Sequence, residues 1–373
     1  MKTNTLHIVA LNIPYPTNYG GAIDMFYKVK ALSELGIRIH LHCFEYGRAK
    51  AEILNTLCET VNYYSREMHW KNLFSKTPFI VQSRTSEKLL QNLISINAPI
   101  LFEGLHCCYY LNHPLLKDRT QFVRAHNIES DYYKLLAKSE TKLVNKLYLF
   151  TEYLKIKSFE KRLSNSDGVF SISDKDQTQL SKTCKSHLIR AFHPDSTILS
   201  KTGLGEYAIY HGNLSVAENE NAALFLSQKV FTLLNYDLVI TGSKPTNKLR
   251  QEVLKHSNIR LVENPENSVL EKMMQDAHIH VLPTEQDTGI KLKLLKSLYH
   301  GRHCVVNNKM VLKTGLEKAC FIVEDPKQWI SEIKELQSIP FEAKDLELRA
   351  ELLKPYNCKQ EAKKIQSIIF PQV

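Results

Sequence analysis

The stretch from residue 6 to residue 36, LHIVALNIPYPTNYGGAIDMFYKVKALSELG, carries the pattern that decides the fold. An apolar run over residues 6–11 predicts a β-strand, and a polar loop with two adjacent glycines follows it. The apolar residues after the loop recur at helical spacing until Gly36 ends the pattern. A strand that enters a helix through a glycine-rich loop is typical of the first unit of a doubly wound parallel sheet.

The alternation of strands and helices continues along the whole chain. Further strands are predicted at 37–44, 60–64, 99–102, 121–125, 169–172 and 187–191. After an aperiodic segment at 193–205, a second series is predicted at 207–211, 237–241, 258–262, 278–282, 303–306 and 321–323. We therefore expect an α/β protein with two doubly wound Rossmann-like domains facing each other across a cleft. The expected domains are residues 1–195 and 196–356, with a C-terminal helix at 357–373 that packs back on the first domain.

Composition and charge restrict the partners. The 373 residues carry a formal net charge of +10, which favours an anionic partner. No nucleic-acid-binding signature accompanies this charge, so we expect no nucleic acid. The eight cysteines show no metal-ligand spacing, and no signal peptide or membrane-spanning run is visible, so a cytoplasmic location is expected. Residues 134–162 are helical in pattern and basic, which favours a solvated helix face over a patch that contacts a membrane.

Polar residues follow several strands of the first series at their carboxyl ends. Gly20 and Gly21 lie in the first loop, where backbone N–H groups can approach a diphosphate. His126 and Glu129 follow the strand at 121–125, and His106 follows the strand at 99–102. Because the carboxyl ends of parallel strands meet at one edge of the sheet, these residues are candidates for a common site.

The second series carries similar turns. Gly212 and Asn213 follow one strand, and Lys244 follows the next strand after a glycine. In the stretch 283–307, a helix is predicted to begin near residues 288–289, with Lys291 and Lys293 in its first turns. Cations are disfavoured at a helix N-terminus, so two lysines there favour a bound polyanion, with two solvated lysines on an exposed face as the alternative.

The segment 289–306, GIKLKLLKSLYHGRHCVV, resembles the corresponding segment of the retaining glycosyltransferases of family 4, of the bacterial surface-polysaccharide type, which have the GT-B fold. The likeness extends along nearly the whole chain. The glycine loop at 18–21 is similar to the family's N-terminal glycine loop, and His126 stands where the family has its active-site histidine. Gly212 matches the glycine of the family's C-terminal phosphate loop.

This resemblance implies a hexosyltransferase that transfers a sugar with retention of anomeric configuration. The donor would be a nucleotide diphosphate sugar, such as a UDP- or GDP-sugar, and the acceptor a glycan or a lipid-linked glycan, with peripheral contact to the inner face of the membrane. No cofactor and no metal ion are implied. The catalytic candidates are His126, His106 and Glu129. The donor-binding candidates are Gly20, Gly21, Gly212, Asn213, Lys244, Gln286, Thr288, Gly289, Lys291 and Lys293.

The sequence departs from the family pattern near the expected donor site. Lys296 replaces a glutamate that typically meets the donor ribose, and Gln286 stands where the family has another glutamate. The cations that usually follow the glycine at 212 are missing, and our hypothesis is that Lys244, Lys291 and Lys293 replace them. A catalytically degenerate partner subunit and a sugar-nucleotide epimerase remain alternatives. The aromatic and basic segment 70–84 fits either an acceptor-binding element or a loop that docks on lipid.

Overall fold

The structure is a computed structural model that describes residues 4–285 and 291–371. The chain divides into two compact units. The first comprises Met1–Pro194 and Tyr356–Val373, and the second comprises Asp195–Pro355.

The first unit is built on a seven-stranded parallel sheet. Its strands are β1 (Thr5–Ala10), β2 (Arg38–Glu45), β3 (Thr60–Ser65), β4 (Ile100–Glu103), β5 (Gln121–Ala125), β6 (Gly168–Ser171) and β7 (Ser186–Leu188), in the order β3-β2-β1-β4-β5-β6-β7. The helices are α1 (Gly20–Glu34), α2 (Phe79–Gln82), α3 (Glu87–Ser95), α4 (Glu129–Ser139), α5 (Leu143–Phe159) and α6 (Asp174–Leu180). Short 3₁₀ turns lie at Glu52–Thr56, Trp70–Phe74, Leu105–Tyr110, Pro114–Leu116 and Glu160–Asn165.

The second unit repeats this plan with six parallel strands. They are β8 (Ala208–Asn213), β9 (Leu238–Ser243), β10 (Ile259–Glu263), β11 (Ile279–Leu282), β12 (His303–Val306) and β13 (Phe321–Ile322), in the order β10-β9-β8-β11-β12-β13. Its helices are α7 (Ala217–Phe225), α8 (Asn247–Val253), α9 (Asn267–Asp276), α10 (Leu292–His300), α11 (Asn308–Val311), α12 (Pro326–Leu336) and α13 (Ala343–Leu353). The chain then returns to the first unit with α14 (Cys358–Ile369).

The sheet of the first unit is buried on both faces because its strands are apolar on both faces. Leu6 and Ile8 of β1 pack in a cluster with apolar residues of α1 and α14. Val9, on the opposite face of the same strand, packs in a second cluster with residues of α3 and α5. Side chains alternate between the faces of a strand, so a continuous apolar run supplies both helical layers with a core.

The predicted fold class is confirmed, and each of the thirteen predicted strands is present within two or three residues of its predicted limits. Three local predictions were wrong. Gly20 and Gly21 are the first residues of α1 and not part of the loop before it. Residues 134–162 form two helices, because the Glu140 carboxylate accepts the backbone N–H groups of the two following residues and interrupts the helical pattern. The helix predicted to begin near 288–289 begins at Leu292.

Each sheet has one topological switch point, where successive strands are added in opposite directions. In the first unit it lies between β1 and β4, and in the second unit it lies between β8 and β11. The loops at the carboxyl ends of these strand pairs are the usual ligand-binding position in doubly wound sheets. Several of the candidate residues found in the sequence lie close to these points, among them His126, Gly212 and Lys293.

The close approach of β8 and β9 gives a test of the second unit. A Cβ atom on Gly242 would lie 1.7 Å from the carbonyl oxygen of Gly212. We therefore expect Gly242→Ala to lower the free energy of unfolding by about 3 kcal/mol or more, because the two strands must separate. Gly315→Ala is the matched control: its φ is +77° but a Cβ there meets open space, so a loss of about 1 kcal/mol is expected. Equal losses in urea unfolding would contradict this account.

Candidate functional site

Four charged side chains form a buried network at the switch point of the first unit. The Lys28 ammonium of α1 lies 3.1 Å from Asp24 Oδ2 and 2.8 Å from Glu103 Oε2. The Arg124 guanidinium, at the end of β5, donates to both oxygens of Asp24, at 2.9 and 3.3 Å. Asp24 Oδ1 also accepts the backbone N–H of Phe192 at 2.8 Å. The network therefore joins α1, β4, β5 and the chain that follows β7.

The charges of this network balance each other. Burial alone would raise the pKa of the Asp24 carboxyl, but the charges of Arg124 and Lys28 hold this pKa far below its usual value. Burial opposes ionisation of Glu103 as well, and Lys28 keeps the pKa of Glu103 below its ordinary value. Two carboxylates thus stay ionised beside two cations, all four almost fully buried.

His126 lies against this network at its solvent side. Its Nε2 is 3.1 Å from Glu103 Oε2, and its Nδ1 is 3.7 Å from Asp24 Oδ2. The side chain retains 13% of its exposure, so one edge of the ring remains reachable from outside. The two carboxylates therefore hold the His126 ring in a fixed orientation. A hydrogen bond from one ring nitrogen to a carboxylate commonly orients a functional histidine in this way.

The oxygens of Asp24 and Glu103 and the ring nitrogens of His126 are also close enough together to ligate a metal ion, all within 4.8 Å. However, the Lys28 ammonium already occupies hydrogen-bonding positions on both carboxylates. A cation added there would meet the charges of Lys28 and Arg124 at short range. The geometry consequently describes an ion-pair network and not a metal centre.

His106 and Glu129 also lie close to His126, around Gly104 at the end of β4. The φ of Gly104 is +76°, and a Cβ atom on it would lie 3.1 Å from His106 Nδ1 and 3.8 Å from His126 Cδ2. His106 Nδ1 is 3.9 Å from Glu129 Oε1, at the first residue of α4. The three catalytic candidates, His126, His106 and Glu129, thus form one cluster around a glycine at the end of β4.

Glu129 has the properties of a proton carrier near neutral pH. Burial, followed by the charge of Glu160, raises its pKa to about 8. Burial and the nearby Arg84 charge lower the pKa of His106 well below its ordinary value, so that imidazole is neutral. A buried carboxyl that titrates near pH 8 is suited to general acid–base chemistry.

The network predicts a large effect for Asp24→Ala. The substitution removes a buried anion and leaves Arg124 and Lys28 with too little compensating charge. We expect a loss of about 3–5 kcal/mol in the free energy of unfolding. Asp174→Ala breaks an ion pair with Arg190 in which the aspartate is half exposed, and it should cost less than about 1 kcal/mol. Similar losses for the two variants in urea unfolding would contradict the network.

Glu129 predicts a dependence of stability on pH. Between the ordinary pKa of 4.5 and the folded value of about 8, the folded state holds a proton that the unfolded state releases. The free energy of unfolding should therefore fall as pH rises from 6 to 8, by about 1 kcal/mol per unit at most from this group. Glu129→Gln should remove this part of the slope, whereas Glu285→Gln at an exposed position should not. An unchanged slope in Glu129→Gln would show that the carboxyl titrates normally.

In the second unit, Lys293 is fixed at the switch point by two polar side chains. Its ammonium contacts Asn219 Oδ1 and lies 3.4 Å from the Tyr210 hydroxyl and 5.4 Å from the centre of the Tyr210 ring. Asn219 Nδ2 in turn donates to the Asn213 carbonyl at 2.9 Å, at the end of β8. A Cβ atom on Gly212 would lie 3.3 Å from Asn219 Cγ, so glycine allows the end of this strand to pack closely on Asn219.

Charge near Lys293 is arranged around Glu218 on α7. Lys291, the residue before α10, lies 3.8 Å from Glu218 Oε1, and the Thr284 hydroxyl contacts the same oxygen. Burial and the charge of Lys291 lower the pKa of Lys293 to about 8, although Glu218 acts in the opposite direction. Lys291 and Lys293 thus lie beside the Glu218 carboxylate in the first turn of α7.

The remaining donor-site candidates are less closely grouped. Lys244 is exposed at the end of β9, and its backbone N–H donates to Asn264 Oδ1. Lys296 lies 3.8 Å from Glu271 on α9, so it forms an ion pair there. Gln286, Thr288 and Gly289 lie outside the described residues, and their roles stay predictions. In the first unit, Gly20 and Gly21 place their N–H groups at the N-terminus of α1.

Sequence reasoning missed Asp24, Lys28 and Asn219 as members of these sites. A signal for the first two was present, because Lys28 falls within the helical spacing of the apolar residues Met25, Val29 and Leu32. A lysine in an apolar stripe, with an aspartate four residues before it, indicates a buried ion pair. Asn219 gave no such signal, because its role depends on its contact with the end of β8.

Comparisons with known proteins give likenesses in sequence and in fold. Residues 205–338 match the family model described as glycosyl transferases group 1. A protein of Klebsiella pneumoniae, named as an uncharacterized 44.6 kDa protein in cps region, is 25% identical over 313 residues, which cover 78% of this chain and 79% of that protein.

Several solved structures share this fold, and two of those named here are described as glycosyltransferases. Sucrose-phosphate synthase from Thermosynechococcus elongatus superimposes with a TM-score of 0.68 at 13% identity, covering 98% of each chain. WaaG, a glycosyltransferase involved in lipopolysaccharide biosynthesis, gives a TM-score of 0.62 at 12% identity, covering 98% of this chain and 100% of WaaG. A glycosyltransferase from Rickettsia africae gives 0.64 at 9% identity, with both chains fully covered.

Proposed function

We propose that this chain, a glycosyltransferase of the group 1 type with the GT-B fold, moves a hexosyl group from a nucleotide diphosphate sugar to a glycan or lipid-linked acceptor, with retention of configuration. The observation that carries the proposal is the position of Lys293. It lies within the matched segment, at the switch point of the second sheet, near the end of β8, where Gly212 is located. Fixed donors and two lysines at that position suit a diphosphate.

The chemical task divides between the two groups of residues. The bond between the anomeric carbon and the diphosphate oxygen breaks, and the anomeric carbon bonds to the acceptor oxygen on the same face. Lys291 and Lys293, with Lys244 and the amides near Gly212 and α1, would stabilise the negative charge that develops on the diphosphate. Gln286 and Thr288 would contact the donor sugar.

The residues around Gly104 would act on the sugar and the acceptor. His126, held by Glu103 and Asp24, would hydrogen-bond the reacting sugar or the acceptor hydroxyl. The acceptor loses a proton in the reaction, and the departing diphosphate oxygen would accept it. Glu129, mostly protonated at neutral pH because its pKa is about 8, would donate a hydrogen bond to the acceptor. His106 would orient the acceptor through its neutral ring.

The biological context proposed is synthesis of a cell-surface polysaccharide. The Klebsiella relative is a protein in a cps region, and WaaG acts in lipopolysaccharide biosynthesis. Both likenesses are distant, so they support the class of product and not a particular donor or linkage.

The proposal is tested by thermal unfolding of the full chain with a panel of nucleotide sugars and free nucleotides. A donor at about 100 times its dissociation constant should stabilise the protein by about 2.7 kcal/mol. Stabilisation by one nucleotide diphosphate family supports the proposal and identifies the donor. If none of the panel stabilises the protein, the chain is better explained as a degenerate partner subunit. If the protein converts a donor into its epimer when no acceptor is present, it is an epimerase.

The assignment of Lys293 to the diphosphate predicts how the affinity for the donor depends on this charge and on pH. In Lys293→Met, the nucleotide diphosphate found in the panel should bind about 10 to 100 times more weakly at pH 7, because one charge-assisted bond is lost. In the wild type, affinity should fall about tenfold per pH unit above pH 8, where the free ammonium loses its proton. Calorimetric titration at pH 7 and 9 measures both effects.

Lys248→Met, on the exposed surface of α8, is the matched control and should leave the dissociation constant unchanged. If Lys293→Met binds the nucleotide as the wild type does, the assignment of this lysine to the diphosphate is wrong.

We also propose that the first unit contacts an anionic membrane surface through α5. Within residues 4–285 and 291–371, no helix has the length and apolar character needed to cross a bilayer. Leu143, Leu147, Phe150 and Leu154 lie on one side of α5 at helical spacing, and all are at least half exposed. Glu152, Ile156 and Phe159, on the opposite side, are the buried residues of the helix.

Basic and aromatic residues adjoin this stripe. Lys142, Lys146 and Lys157 are exposed on α5 near the apolar stripe. Trp70 and Phe74 are 67% and 80% exposed, and their segment joins α5 through a 2.6 Å hydrogen bond from Lys155 to the Leu73 carbonyl. Apolar side chains that insert at the headgroups, flanked by lysines worth about 1 kcal/mol each near anionic lipid, fit a bilayer surface.

The double variant Leu147→Glu, Phe150→Glu should reduce sedimentation with phosphatidylglycerol-containing vesicles at least about tenfold, because two charges replace inserted side chains. Leu254→Glu, at an isolated residue that is 85% exposed in the second unit, should not change it. Equal sedimentation of the double variant and the wild type would contradict the proposal. Loss of a concentration-dependent dimer, without any vesicle binding, would assign the stripe to self-association.

A further inference from the structure

Arg84 is a buried cation without a counter-charge. It is 4% exposed, and its guanidinium donates to two backbone carbonyls, from Nε to Leu11 at 3.0 Å and from Nη1 to Ile80 at 2.7 Å. No ion pair joins it to a carboxylate in the described part of the chain. Burial lowers its pKa to about 10, so it remains charged at neutral pH. A buried guanidinium without an acid partner is costly unless a ligand supplies one.

A second guanidinium, that of Arg66, is close enough for its charge to lower the pKa of Arg84 further. Arg66 Nη2 donates to the hydroxyl of Ser83 at 2.7 Å, next to Arg84 in the chain, and Arg66 lies over the ring of Tyr46 at 4.5 Å. Its Nε is buried and has no hydrogen-bond partner within residues 4–285 and 291–371. Both charges act on His106, since each of them lowers the pKa of that ring. The two arginines therefore add their positive potential at the cluster around Gly104.

The neighbouring acids do not neutralise this pair. Asp24 and Glu103 are already balanced by Lys28 and Arg124. Glu129 is mostly protonated at neutral pH, because its pKa is about 8. The described residues thus leave about two positive charges uncompensated beside His126.

Groups without a partner also point to the missing ligand. Arg66 Nε and His106 Nδ1 are buried without hydrogen-bond partners among the described residues, and the protonated Glu129 carboxyl carries a further O–H donor. Phosphate and carboxylate oxygens only accept hydrogen bonds, and arginine binds both in a planar, bidentate manner.

We infer that Arg66, Arg84 and His106 form an anion site that binds a phosphate or carboxylate group of the acceptor, close to His126. The inference rests on the proposed function, since it assumes that the acceptor binds in the first unit, and it narrows the acceptor to an anionic glycan or a lipid-linked phosphate. A neutral acceptor would leave the two guanidinium groups uncompensated. An anionic group held here fixes the acceptor next to the histidine that the carboxylates orient.

The test is calorimetric titration of the full chain in a Lys293→Met background, which removes the main cation of the second unit. Inorganic phosphate and glucuronate serve as probes, with glucose as the neutral comparison. We expect phosphate, glucuronate or both to bind more tightly than glucose, and the tighter of the two indicates the source of the anion. Arg66→Ala should weaken that binding at least about tenfold, and Arg66→Lys should weaken it less.

Arg162→Ala is the matched control, because Arg162 also donates to a backbone carbonyl and lies over an aromatic ring, that of Phe159. It should leave the affinity for the probes unchanged. The inference is overturned if neither anion binds better than glucose, or if Arg66→Ala and Arg162→Ala have equal effects. Nucleotide binding is also measured in Arg66→Ala with Lys293 unchanged, and this separates the two proposals. If the protein binds the nucleotide but neither anion, only the anion site is refuted. If it binds an anion but no nucleotide, only the donor assignment is refuted.

Discussion

The first unit depends on keeping two carboxylates ionised where water does not reach them. Asp24 and Glu103 are almost fully buried, and they are tolerable there only because Lys28 and Arg124 lie within hydrogen-bonding distance. A neutral, rigid arrangement of four charges follows, and it joins a helix, two strands and the chain after the last strand. His126 receives its orientation from the two anions of this arrangement, so the same interaction supports both the fold and the site.

Much of the architecture could be predicted from the sequence because strands buried on both faces leave a strong signal. The apolar runs that became β1, β4 and β12 have no polar face, which an antiparallel sheet with one solvated side would require. The positions of two candidate residues in the fold were also predictable, since His126 follows β5 directly and Gly212 lies near the end of β8, and both strands are close to the switch points. Polar residues at a strand's carboxyl end are poor core material, so their presence indicates a function.

The partners of these residues could not be predicted in the same way. Asn219 lies in a helix and contacts Lys293 from 74 residues away, and this depends on how α10 and the end of β8 pack together. The sequence alone also treats Lys291, Lys293 and Lys296 as similar cations near one helix start. In the structure, Lys293 is fixed beside Tyr210 and Asn219, while Lys291 and Lys296 pair with Glu218 and Glu271. Arginines that lack counter-charges, such as Arg84, become recognisable only when burial is known.

The central claim is that this chain transfers a sugar with retention, using His126. The most direct measurement is proton NMR of the slow hydrolysis of the stabilising α-linked donor, in which water replaces the acceptor and the first sugar released is observed before it mutarotates. The account predicts that the α-anomer appears first, and that His126→Ala releases sugar at least about 100 times more slowly. Release of the β-anomer first would contradict retention. Equal rates for the wild type and His126→Ala would contradict the assignment of the site.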